Sequence, residues 1–316
     1  MGTDIKRYNK TLVKKIIIAT WLCLAVISGC TKTEAPDPKE NKDQEGKSIL
    51  LGIIPERNIF EQMVRYEPVA RYLSIKTGMN VELKALTRYG NIVDNFVSMG
   101  LDGAFLGSFT YALVHEKLGI EPLVRPVSMD GTSTYHGLIF ARKDSGIKTA
   151  KQMRGKTFAF VDKATTAGYL LPLVFFREHG IEDYRTYFRE TYFTGTHEDA
   201  IYDVLNKKAD IGAAKNTIFY KIAKSDKRII EELIILEKSP DVPENGLAVR
   251  KELDSSIARE LKDTLMHMHH DEEGRQVLRN FGAERFIETF HSDYAAVYKY
   301  AHKIGLDLTT YNYLNN

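Results

Sequence analysis

Cysteine, tryptophan and proline are scarce in this 316-residue chain, at two, one and nine residues. Cys23 falls in an apolar run near the N-terminus that export would remove, which leaves Cys30 alone, and a single cysteine closes no internal disulfide. Long apolar stretches are missing too. The longest, residues 16–27, is interrupted by Thr20 and falls well short of the ~20 residues a membrane-spanning helix needs. Charge of one sign is not in excess, with 44 basic and 42 acidic side chains. No Gly-x-Ser-x-Gly elbow, Walker-type loop or His-Glu-x-x-His helix occurs, so a hydrolase has no signature here and no cofactor is called for.

What is present begins with Lys6, Arg7, Lys10, Lys14 and Lys15, then the apolar run, then Ser28-Gly29-Cys30. A basic region, a short apolar region and small residues at the cut make residues 1–29 a secretory signal. The ending Ile27-Ser28-Gly29-Cys30 resembles the bacterial lipobox, which implies acylation of Cys30 and a membrane attachment through lipid. Five basic side chains and one acidic leave with residues 1–29, so the totals fall to 39 and 41 and the formal charge moves from +2 to −2. Such a chain carries no electrostatic footprint for nucleic acid. Residues 31–48, TKTEAPDPKENKDQEGKS, hold almost no apolar surface and read as a flexible tether.

From Ile49 onward the pattern alternates between strands and helices. Strands are expected at 48–54, 80–86 and 102–106. Helices are expected at 60–76, 89–99 and on to Leu118, the first two closed by Gly78 and Gly100 and the last by Gly119. This series predicts a parallel sheet with helices on its faces. A second α/β unit follows, with strands at 138–142, 157–161, 191–193 and 209–213 and helices at 168–179 and 198–206. A strand at 246–250 then leads into helices over most of 253–304. Two α/β units place a binding cleft between them, at the carboxyl ends of their strands.

The most informative segment is Asp162-Lys163-Ala164-Thr165-Thr166-Ala167-Gly168, which joins a strand to a helix. Free N–H groups and threonine hydroxyls at a helix start suit an anion, although a capping threonine alone would look the same. The segment resembles the Ser-Thr-Ser-Gly signature of the periplasmic phosphonate-binding protein family, receptors of phosphate, phosphite and phosphonate importers. Other blocks match in order: Arg88-Tyr89-Gly90-Asn91-Ile92, the 102–107 strand, Ser133-Thr134-Tyr135-His136-Gly137, Gly195-Thr196-His197-Glu198, Ala209-Asp210-Ile211-Gly212 and Ser239-Pro240-Asp241-Val242-Pro243. The likeness spans about 49–300.

That resemblance implies an α/β, type II periplasmic-binding fold. Its first lobe would be 49–138 plus 239–316 and its second 139–238, closing over an oxyanion. It also implies an extracytoplasmic, lipid-anchored monomer that hands its ligand to an ABC permease. Carried over by motif, the ligand would meet Tyr89, Tyr135, Thr165, Thr166, Ala167 and His197, with Ser108 a further candidate at another helix start. A protonated His197 would donate a charge-assisted bond. Ala167 replaces the signature's second serine, so one hydroxyl donor is missing. Relatives that take aminoalkylphosphonates hold the amine with acidic residues. The matching positions fall near Thr217 and Asn245, neither of them acidic, so the expected ligand is phosphite, phosphate or a small alkylphosphonate. Lys215 and Asn216 lie close by, Lys215 reading more readily as a solvated surface lysine. A sensor reporting ligand to a membrane signalling partner is the alternative. A metal site on His267, His270 and Asp271, which share a helix face, is a weaker one, since nothing else in the chain supplies matching ligands.

Overall fold

The computed structural model describes residues 46–315; the signal segment, Cys30 and most of the tether lie outside them. β1 (Ser48–Ile53) is apolar on both faces and sits inside its sheet, paired in parallel with β2 (Asn80–Ala85) and β3 (Gly103–Leu106). α1 (Ile59–Thr77) starts where the Asn58 side chain accepts from the Phe60 N–H at 2.9 Å and stops at Gly78 with φ 69°. α2 (Ile92–Ser98) and α3 (Ser108–Leu118) complete the βαβαβ series that the periodicity predicts.

The sheet is not parallel throughout. β4 (Glu121–Ser128) pairs antiparallel with later segments, and the six-stranded order is β13-β4-β12-β3-β1-β2. β5 (Thr134–Tyr135) lies in the first crossing to a five-stranded sheet of order β10-β6-β9-β7-β8. That sheet comprises β6 (Gly137–Arg142), β7 (Thr157–Phe160), β8 (Glu190–Phe193), β9 (Ile211–Lys215) and β10 (Leu233–Lys238). β11 (Val242–Pro243) returns beside β5, with Val242 opposite Tyr135, and β12 (Gly246–Val249) and β13 (Ala283–Glu288) rejoin the first sheet. The two crossings are bonded to each other, Gly137 N–H to Ser239 Oγ at 2.8 Å and Glu244 N–H to the Ser133 carbonyl at 2.9 Å.

Three differences from the expected elements have physical causes. Ala283–Glu288, expected in a helix, is a strand because Gly282 with φ 88° ends the preceding helix and β4 offers an unpaired edge. β4 carries Pro122 and Pro126, which argue against a strand flanked on both sides; its ladder with β12 shifts register next to Pro122.

The expected helix 168–179 opens instead with a π turn over Thr166–Leu170, where Leu170 N–H bonds to the Thr165 carbonyl and Leu171 N–H to that of Thr166. Pro172, in the first turn of α4 (Leu171–Glu178), has no N–H to give Gly168. The Gly168 carbonyl is therefore free to accept from the Val161 N–H at 3.2 Å, which ties the turn back to the end of β7.

Each sheet is covered on both faces. One apolar cluster draws on both halves, running from Ile54, Leu86, Tyr89 and Phe109 to Tyr135, Val161, Ala164 and Ala200. This shared core fixes the carboxyl ends of β1, β3 and β7 toward one another. No helix among the described residues is long and apolar enough to cross a membrane.

Candidate functional site

The strand ends enclose a narrow cavity lined by Ile54, Glu56, Tyr89, Gly107, Thr110, Tyr135, Thr165, Thr166, His197, Lys215 and Asn245. Five residues singled out from sequence, Tyr89, Tyr135, Thr165, Thr166 and His197, are therefore brought together. Ser108 and Ala167 are not in the lining. The Ser108 hydroxyl donates to the Pro243 carbonyl at 2.6 Å, and Ala167 packs against Gly137 on the far side of the turn.

The π turn is built into the first sheet's half through its polar groups. Phe109 N–H, in the first turn of α3, donates to Thr166 Oγ1 at 2.8 Å, and Thr110 Oγ1 donates to the Ala164 carbonyl at 2.8 Å. Thr165 Oγ1 donates to the Asp162 carbonyl at 2.6 Å, so its hydroxyl proton is committed within the loop. The Thr166 hydroxyl accepts from the Phe109 N–H and lies in the cavity lining. Gly168 permits this packing, since a Cβ there would lie 2.4 Å from Val161.

Asp162 holds the approach to the turn. It accepts from Ala164 N–H at 2.8 Å, from Gly90 N–H at 3.3 Å across the cleft, and from Asn315 Nδ2 at 2.7 Å in the C-terminal tail. Burial pushes its carboxyl up, and these donors oppose that.

Two buried polar atoms in the lining have no partner, the Tyr89 hydroxyl and Asn245 Nδ2. Burial raises both Tyr89 and Tyr135, Tyr135 to about 12, so both phenols are neutral donors. His197 begins α6 (His197–Leu205), which follows α5 (Tyr184–Tyr187), and stands edge-on to Tyr89 with ring centroids 6.2 Å apart. Burial pushes His197 down to about 3, against the pull of Glu56. Burial thus favours the neutral ring. Its Nδ1 accepts from the Lys215 N–H at 3.3 Å, which leaves the proton on Nε2.

Lys215 is not the solvated lysine its sequence context suggests. β9 ends two residues later than expected, so Lys215 closes the strand with only 3 % of its surface exposed. Its ammonium meets the Glu56 and Glu244 carboxylates, both buried. Sequence reasoning missed these two acids; the available signal was a carboxylate at the end of a buried strand, where Glu56 follows Pro55. Asn216 turns away to the crossing, accepting from the His136 N–H at 3.1 Å, and Thr217 is not in the lining. His267 Nδ1 is bonded to the Asp263 carbonyl. Among the described residues no three His, Cys, Asp or Glu side chains are grouped to hold a metal ion.

Residues 51–294 match the family described as "ABC transporter, phosphonate, periplasmic substrate-binding protein". The phosphate-import protein PhnD of Mycolicibacterium smegmatis is 27% identical over 210 residues, 63% of this chain and 64% of that one, so the match spans just under two thirds of this relative. The binding protein of an ABC phosphonate transporter from Pseudomonas aeruginosa superposes with a TM-score of 0.76 at 22% identity, over 82% of this chain and 87% of that one. PhnD1 of Prochlorococcus marinus, in complex with methylphosphonate, gives 0.73 at 19% identity over 82% and 98%. The likeness to both structures carries the type II periplasmic-binding fold. This chain belongs to the family of periplasmic substrate-binding proteins of ABC phosphonate transporters, a family that binds solutes for transport and does not catalyse.

Proposed function

We propose that the protein captures a phosphorus oxyanion without an amine, such as phosphite, phosphate or a small alkylphosphonate. It passes this ligand to an ABC permease while lipid on Cys30 holds it at the extracytoplasmic face of the membrane. The observation that carries this reading is the convergence of neutral donors on one cavity. Tyr89 OH and Asn245 Nδ2 lack partners there, the Thr166 hydroxyl lines the same cavity, and His197 presents Nε2–H. Oxyanion oxygens accept from such donors, and every buried donor without a partner is costly until one arrives. The relatives support the same class, one named for phosphate import and one seen with methylphosphonate.

Calorimetry on the purified protein with phosphite, phosphate, methylphosphonate, 2-aminoethylphosphonate and sulfate tests the reading. Tight binding of at least one of the first three, with 2-aminoethylphosphonate much weaker, is expected. Binding of none of the five would overturn it. Anchoring is tested by feeding cells a labelled fatty acid: the label should enter the protein and be absent from the Cys30→Ser variant.

A further inference from the structure

Three charged side chains, Glu56, Lys215 and Glu244, are buried together at one place. Lys215 Nζ lies 2.8 Å from Glu56 Oε1 and 3.0 Å from Asn245 Oδ1, bonds to the Glu244 carboxylate, and sits 4.3 Å from the centre of the Tyr135 ring. An ammonium has three N–H bonds, and these three acceptors use them all. No N–H of Lys215 is left for a ligand.

The group balances its own charge. The second oxygen of Glu56 faces Arg65 Nη1 at 3.6 Å, so two cations stand against two carboxylates. Burial raises the Glu56 carboxyl, yet Lys215 and Arg65 together hold it down to about 2. For Lys215 burial pulls downward, and Glu244 and Glu56 overcome it. Enclosing this many charges is costly unless each is paired, so the arrangement tolerates no missing member.

Two carboxylates, an amide oxygen and an aromatic face are what would hold a small cation. Glu56, Asn245 and Tyr135 lie in the cavity that Thr166, Tyr89 and His197 line, with Glu244 behind them against the Lys215 ammonium. We propose that Lys215 determines specificity by filling this cation subsite with its own ammonium, which restricts the cavity to oxyanions carrying no cationic group. The same lysine orients Asn245. By drawing Oδ1 it turns Nδ2 away as a free donor. The inference rests on the oxyanion reading and goes beyond it by naming the residue that selects against amines.

The test is calorimetry of the wild-type protein and Lys215→Ala with methylphosphonate, 2-aminoethylphosphonate and propylphosphonate, the last matching the amine in length without its charge. In Lys215→Ala the preference for 2-aminoethylphosphonate over propylphosphonate should rise by about 30-fold or more, as expected when a buried charge regains a partner. Ethylammonium chloride, and not sodium chloride, should restore methylphosphonate binding to this variant. An unchanged ratio, or an equal gain for propylphosphonate, would show that Lys215 only occupies space and would overturn the inference. Failure of the wild-type protein to bind any phosphonate, phosphite or phosphate would instead overturn the oxyanion reading. Should Lys215→Ala not fold alone, recovery of its unfolding transition by ethylammonium and not by sodium decides in favour, and equal recovery or none decides against.

Discussion

The imidazole Nδ1 of His197 accepts from the backbone N–H of Lys215 at 3.3 Å, which fixes the neutral Nε2–H tautomer at the floor of the cavity. A ring held this way donates without charge. It also makes folding sensitive to acid, since burial has moved its pKa from 6.5 down to about 3.

The unfolded chain therefore takes up a proton at His197 that the folded protein refuses. The stability this contributes is complete above about pH 6.5 and is lost as pH falls toward 3. Glu56, lowered to about 2, adds a loss in the same direction only below about pH 4.5. Urea unfolding between pH 6.5 and 5 should show stability falling with acid by up to about one proton's slope from this residue. His197→Gln should remove that part of the slope; an unchanged slope would mean that the ring titrates normally.

Tyr89 separates stability from binding. Its hydroxyl is buried without a partner, so Tyr89→Phe removes an unsatisfied group. The variant is expected to unfold at the same urea concentration as wild type or a higher one. Its affinity for the oxyanion should drop by about 1 kcal/mol, the net worth of one hydrogen bond. Equal affinity in calorimetry would remove Tyr89 from the site.

Thr166 serves both purposes at once, because Oγ1 accepts from the Phe109 N–H and the hydroxyl lines the cavity. Thr166→Ala leaves that buried N–H unpaired and should cost about 1–3 kcal/mol of stability in urea unfolding, as well as ligand affinity. Thr166→Ser keeps the hydroxyl and should recover most of both. A Ser variant as weak as Ala would point to the lost methyl instead.

Gly168→Ala tests the π turn. A methyl there would stand 2.4 Å from Val161 and 2.8 Å from Thr165 Oγ1. The turn must then move away from β7, at a cost of about 1–3 kcal/mol or more. Oxyanion affinity should fall with it, because Thr165 and Thr166 are carried on the same turn. Wild-type affinity in a folded Gly168→Ala protein would show that the turn's geometry is not what positions the donors.

Much of this protein is determined locally and is legible in the chain itself. The stops at Gly78 and Gly119 depend only on a residue that accepts a left-handed backbone, and both fall where the periodicity ends. β1 and β3 are short, largely buried apolar runs and β2 alternates at the sheet edge, and their parallel pairing follows from the helices between them. Tyr89, Tyr135, Thr165, Thr166 and His197 stand at strand or helix ends within matched motifs, which is why they could be named before any fold was known. Tertiary structure decided what partners decide. Ala283–Glu288 has a helical composition and became a strand only because β4 needed a neighbour. Lys215, Glu56 and Glu244 read one by one as surface charges; Lys215 and Glu56 are 159 positions apart and could be paired only by the closing of two sheets. Burial without that pairing would be prohibitive for each, so the charge at the heart of the cleft belongs to the fold and to no segment of the sequence.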